Sequence, residues 1–214
     1  MAAPDRVLGI DVTGPGGGAS LRGRTQTIPP AVARGRDLVP IVARLLADAG
    51  LSLGDLDGIA CAVGPGSFTG IRIGVATAAA LAYDAGLPVM AVGSLHGIAR
   101  HAVAAERTLV VLNARRGQLF CGDFPSGEYR CVFPDEAVAG LPADAVVLGE
   151  GRDLYPEVFA RFPGRADVDV RPDAIAEIGA AMLACGETLA PAQLRPLYLR
   201  RSDPEIRRAE RDGV

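Results

Sequence analysis

The chain has 214 residues, enough for one large domain or two small ones and for a substantial core. All 22 of its basic residues are arginine and its formal charge is −3, so it carries no global basic field for nucleic acid. Without lysine it has no Walker A loop, no PLP Schiff base and no protein-kinase strand lysine.

Residues 6–12, Arg-Val-Leu-Gly-Ile-Asp-Val, predict a buried first strand, and 19–22 predict its return after a glycine-rich turn. A strand ending in Asp11-Val12-Thr13-Gly14 beside further glycines suggests the phosphate hairpin of sugar kinases and actin-like ATPases. The other reading of the same residues is a tight hairpin that needs positive φ. Residues 23–30 read as a polar connection. Residues 37–49 predict an amphipathic helix with Leu38, Ile41, Val42, Leu45, Leu46 and Ala49 in one stripe. Asp37 is its expected cap, Pro40 falls in its first turn, and Gly50 closes it. Residues 58–63 predict a second buried strand.

The stretch 64–86 is the most unusual. Gly64-Pro65-Gly66 is a turn, Ser67 an N-cap, and Gly86 the terminating glycine of a helix. Only Arg72, Thr77 and Asp84 interrupt its small and apolar surface, and a helix apolar all round must be covered on both sides. Gly70, Gly74, Ala78 and Ala82 recur every four residues as a smooth ridge. That spacing predicts the ridge as the surface a partner helix covers, beside the helix carrying Leu38, Ile41, Val42 and Leu45. On this reading Ala78→Arg breaks association and leaves the monomer folded.

Further on, 88–92 predicts a strand, and Ser94 caps a helix running through 105. Residues 108–113 and 118–123 predict a hairpin, 129–133 a third strand and 145–148 a later one. Residues 154–162 and 173–185 predict helices, and 196–199 a final strand or extended arm. Residues 202–214 are nearly all charge and are expected to fray. The expected organisation is an α/β lobe over 1–105, a smaller α/β lobe over 106–200, and a charged, flexible tail over 201–214.

Reaction chemistry finds little footing. His96 and His101 lie five residues apart and diverge by about 140° on a helix, so they cannot share a metal. Gly-Pro-Gly-Ser67-Phe-Thr-Gly is not a Gly-x-Ser-x-Gly elbow. Cys61, Cys121, Cys131 and Cys185 form no Cys-x-x-Cys pair and read as small core residues. Arg115 and Arg116 at a hairpin tip could meet phosphate or a partner carboxylate, or be solvated turn residues. The opening residues show no signal-peptide pattern and no run is long enough to span a membrane, so a cytoplasmic location is expected.

The run Gly-Pro-Gly-Ser-Phe-Thr-Gly-Ile-Arg-Ile-Gly, following Asp-Leu-Asp-Gly-Ile, resembles the signature of the TsaB (YeaZ) family. Ile10-Asp11-Val12-Thr13, Leu87-Pro88-Val89, Gly93-Ser94-Leu95, Asn113-Ala114-Arg115-Arg116-Gly117 and Pro196-Leu197-Tyr198-Leu199-Arg200 follow in the family's order. The resemblance implies an actin-like (ASKHA, ribonuclease H-like) two-lobed α/β fold with a reduced second lobe. It also implies a non-catalytic subunit of the complex that moves a threonylcarbamoyl group onto the adenosine next to the anticodon of tRNAs reading ANN codons. The partner implied is a TsaD-type subunit, paired through a helical bundle, with a TsaE-type ATPase as third member. A homodimer through the same surface is implied for the isolated protein, with tRNA reached only through the complex and no membrane. No catalytic, cofactor or metal residue carries over. The chain departs from the family at Ala33-Arg34-Gly35-Arg36, where His-Ser is frequent, at Asn113 for Asp, and at Gln118-Leu119-Phe120 for Glu-Val-Tyr. An actin-like-fold small-molecule kinase or nucleotide-binding protein is the alternative, and a peptidase a third reading.

Overall fold

The computed structural model describes residues 4–14, 17–28, 34–102, 105–168 and 171–200, so the tail at 201–214 and the expectation that it frays lie outside the described residues. In the first sheet β1 (Val7–Asp11), β2 (Gly18–Leu21) and β3 (Arg24–Thr27) form an antiparallel meander. On the other side of β1, β4 (Gly58–Ala62) and β5 (Val89–Val92) add in parallel, giving the order β3-β2-β1-β4-β5. The second sheet repeats the plan. β6 (Thr108–Arg115), β7 (Gln118–Phe124) and β8 (Glu128–Val132) meander, and β9 (Val146–Leu148) and β10 (Gly164–Arg165) add in parallel beyond β6. β3 stands where the sequence reads as a polar connection. It is an edge strand with mostly exposed side chains, so Arg24-Thr25-Gln26-Thr27 needs no apolar alternation.

Strand period sorts the first sheet onto two cores. Leu8, Ile10, Ile59, Cys61 and Val63 face α1 (Arg34–Ala49) and α2 (Phe68–Ala85). Val7, Ala60, Ala62, Met90 and Val92 face the opposite side, toward α3 (Ser94–Ala99) and the second sheet. The short helices α4 (Pro134–Ala137), α5 (Gly151–Leu154) and α6 (Pro156–Phe159) belong to the second sheet's side of the chain. The helix expected over 154–162 is the shorter α6, because Pro156 can only begin a helical turn, and Leu154 instead ends α5.

The final helix, α7 (Pro172–Ala184), returns to the first sheet and packs on β1 and β4. Missing side chains make the room. A Cβ at Gly9 would lie 2.2 Å from the Pro172 carbonyl oxygen, and one at Gly179 would lie 2.3 Å from the Ala60 methyl. Beyond α7, Leu189 exchanges backbone hydrogen bonds with Val89 at 3.0 and 2.9 Å, and Leu194 is buried in the α1–α2 core. The span 106–200 is therefore not one lobe: its last part completes the first sheet's packing. Residues 196–199 form the extended-arm alternative, not a strand.

Smaller corrections have local causes. α1 begins at Arg34, so Pro40 sits inside the helix and removes one main-chain bond. α3 stops at Ala99 and its cap is Gly93; Ser94 is already helical, and its buried Oγ has no hydrogen-bond partner among the described residues. Cys61 and Cys121 are core residues, and burial pushes the Cys121 thiol up to about 12. Cys131 is half-buried and Cys185 exposed at the end of α7, so neither of these is a core residue.

At the start of α7, Arg171 Nε donates to Asp173 Oδ1 at 3.0 Å, and this bond holds the Asp173 carboxyl below its ordinary value. A carboxyl depressed in the folded state contributes stability above the unfolded value and loses it as pH falls through the folded one. Because Arg171 is largely exposed, Asp173→Asn is expected to cost less than about 1 kcal/mol at neutral pH. The difference from the parent should shrink as pH falls through and below the ordinary carboxylate range. Urea titrations at several pH values read both.

Candidate functional site

The glycine turn after β1, which suggested phosphate binding, is docked on the turn that precedes α2. Asp11 is buried, and its Oδ1 accepts from both the Thr13 amide and the Thr13 hydroxyl at 2.7 Å. Opposite it, the Ser67 amide donates to the Thr13 carbonyl at 2.8 Å. Ser67 caps α2 as expected, its Oγ accepting from the Gly70 amide at 3.3 Å. The α2 N-terminus thus directs an amide into the neighbouring turn, and the Ser67 hydroxyl is a cap. Pro15 and Gly16 lie outside the described residues.

The helix does have two apolar faces, but the predicted ridge is the inward one. Gly70, Gly74, Ala78 and Ala82 are all buried within the chain's own fold. A Cβ at Gly70 would lie 1.9 Å from the Val12 carbonyl oxygen, and one at Gly74 3.0 Å from a Val12 methyl. Leu38, Val42 and Leu45 are buried in the same core, and Ile41 is half-buried against it. A smooth ridge admits a backbone closely, and the backbone it admits at Gly70 is that of Val12, just past the end of β1. The predicted set of eight therefore describes how α1 and α2 seat on the sheet.

What faces outward is a second set of small residues. On α2, Arg72, Ala76, Ala80 and Tyr83 are exposed, Tyr83 at 80%. On α1, Val39, Ala43 and Ala47 are exposed at successive turns, Val39 at 50%. The two helices touch and lie on the same side of the sheet, and each carries small or apolar side chains among its exposed residues. The signal was present in the sequence as the line Arg72, Ala76, Ala80, Tyr83. It competed with the glycine ridge, which was the more conspicuous of the two.

Arg115 and Arg116 form the β6–β7 tip with φ of 66° and 54°, and the Asn113 side chain accepts from the Arg115 amide at 2.8 Å. An open groove of about 540 Å³ is lined by Val63, Gly93, His96, Tyr129 and Arg195. There His96 Nδ1 lies 2.9 Å from the Tyr129 hydroxyl, and burial lowers the His96 pKa. His101 Nδ1 lies 3.1 Å from an Arg165 nitrogen, so the two histidines have separate neighbours. Among the described residues no group of three His, Cys, Asp or Glu side chains is placed to hold a metal ion, and no helix is long and apolar enough to cross a membrane.

A family model described as TsaD, tRNA N6-adenosine threonylcarbamoyltransferase, matches residues 27–139, just over half of the chain, spanning α1 through α4. An uncharacterised protein of Mycobacterium tuberculosis is 37% identical over 174 residues, 81% of this chain and 78% of its own length. The Escherichia coli tRNA threonylcarbamoyladenosine biosynthesis protein TsaB is 30% identical over 183 residues, 76% of this chain and 79% of its own. A crystal structure from Pseudomonas aeruginosa, described as a protein similar to peptidase YeaZ, superimposes with a TM-score of 0.77 at 26% identity. It covers 91% of this chain and 99% of that one.

Proposed function

The chain belongs to the TsaB (YeaZ) family and has its actin-like α/β fold, and from that premise we propose that it is the non-catalytic partner subunit in threonylcarbamoyladenosine biosynthesis on tRNA. It pairs with a TsaD-type transferase subunit, is joined by a TsaE-type ATPase, and meets tRNA only through that complex. Alone, it pairs with itself through the same surface.

The observation that carries this reading is the uncovered face of α1 and α2. Exposed apolar surface of this kind, with small residues at helical spacing, suits close packing of another helix. The transferase family model matches this very segment, so a TsaD-type partner carries a lobe of the same design and can present a like face. The internal bonding of Asp11 and Ser67 supports a binding role over a kinase or peptidase role.

The test is reconstitution. The purified chain, mixed with the transferase subunit of the same host, is expected to co-elute with it, and modified adenosine should form on tRNA only when both are present with the ATPase. Separate elution, or full modification without this chain, overturns the reading.

A further inference from the structure

The exposed start of α2 carries a three-residue cluster that the glycine turn and the helix do not require. Phe68 and Tyr198 stack with ring centroids 5.0 Å apart and planes at 28°. The Arg72 guanidinium carbon sits 4.0 Å over the Phe68 ring, and Arg72 Nε donates to the Tyr198 hydroxyl at 3.1 Å. All three side chains are solvent-exposed, Phe68 at 37% and Tyr198 at 43%. Tyr198 reaches this place from 126 residues away. The arm that brings it is fastened at Leu189 to β5, at Leu194 to the core, and at Leu197, whose amide donates to the Val63 carbonyl at 2.8 Å. Among the described residues the two Nη groups of Arg72 carry no further hydrogen bond.

We propose that Tyr198 is a positioning residue that holds Arg72, over the Phe68 ring, as a ready-made contact for a carboxylate on the partner subunit's facing helix. The proposal rests on the pairing reading above. One observation and two general arguments favour this occupant. The cluster continues the exposed line of Ala76, Ala80 and Tyr83, so a helix lying on that line meets it. A guanidinium held through Nε keeps its Nη donors for a bidentate acceptor, which in a helical partner is Asp or Glu. Arginine and tyrosine, pinned beside apolar surface, are the residue types that concentrate binding energy at interfaces. Holding the arginine in advance removes part of the ordering cost that binding would otherwise carry.

The experiment is a calorimetric titration of the purified transferase subunit into the parent chain, Tyr198→Phe, Tyr198→Ala, Arg72→Ala and the Tyr198→Ala/Arg72→Ala double variant. Tyr198→Ala and Arg72→Ala are each expected to weaken binding roughly tenfold, and the double variant no more than the worse single one, because the two act as one unit. Tyr198→Phe keeps the stack but loses the hydroxyl, and should weaken binding about threefold. Melting temperatures should stay within a few degrees of the parent, since the three side chains are exposed. The proposal falls if the parent binds and the Tyr198 variants bind within twofold of it, or if the double variant's loss is the sum of the singles. If the parent itself does not bind, the pairing reading falls and takes this proposal with it.

Discussion

Gly70→Ala destabilises the protein by roughly 3 kcal/mol or more, the upper end for overpacking a close-packed site. At an exposed helical position the same change would gain about 1 kcal/mol, because alanine is the better helix former. The sign reverses because the new methyl would stand 1.9 Å from the Val12 carbonyl oxygen. Neither side can yield cheaply. Val12 continues β1 into the turn that receives the Ser67 amide, and Gly70 itself donates to the Ser67 cap. Relief requires α2 to lift from the sheet, which opens the contacts of Gly74, Ala78 and Ala82 behind it. Gly54→Ala, where an added Cβ meets nothing within 4 Å, is the control and should stay within about 0.5 kcal/mol of the parent. Denaturant midpoints compare the two. A stabilised Gly70→Ala would mean that the helix does not seat on β1 as described.

Most of the fold was legible because local signals agreed with it. The strands at β1, β4, β5, β6, β7 and β9 are apolar and bounded by turns, and α2 is bracketed by Ser67 and Gly86. β3 was hidden because an edge strand needs no apolar face, and Arg24 to Thr27 has none. The return of α7 to the first sheet was hidden for a different reason. Its amphipathic pattern states that it packs, but which sheet it packs on is decided by Gly9 and Gly179, far apart in the chain. The same limit explains the ridge. A line of small residues announces close approach by some backbone and does not say whose. On a helix apolar all round, the atoms that settle the question belong to Val12, just past the end of β1, which lies against Gly70 and Gly74. The cluster at Phe68 was beyond reach, since Tyr198 joins it only through the course of the arm.

Two arginine substitutions, two residues apart on α2, separate the inner face from the outer. Positions two apart lie about 200° around a helix, so Ala78 and Ala80 point to nearly opposite sides. Ala78 is fully buried in the core that α1 and α2 share with the sheet. Ala78→Arg must bury an unpaired guanidinium or push the helix away, and is expected to cost several kcal/mol and leave little soluble, folded chain. Ala80 is exposed in the middle of the outward line. Ala80→Arg should leave stability within about 0.5 kcal/mol of the parent, because its side chain extends into water. It should nevertheless weaken pairing with the transferase subunit by about 2 kcal/mol, roughly thirtyfold, because an arginine there holds the facing helix off a surface built from small residues. The pair of outcomes is read by thermal melts alongside co-elution. If Ala80→Arg pairs normally while Ala78→Arg stays folded and fails to pair, the inner ridge is the partner surface after all. If both stay folded and pair normally, the partner does not use α2. Only a folded Ala80→Arg that no longer pairs, beside an Ala78→Arg that does not fold, assigns the ridge to the core and the line through Ala76, Ala80 and Tyr83 to the partner.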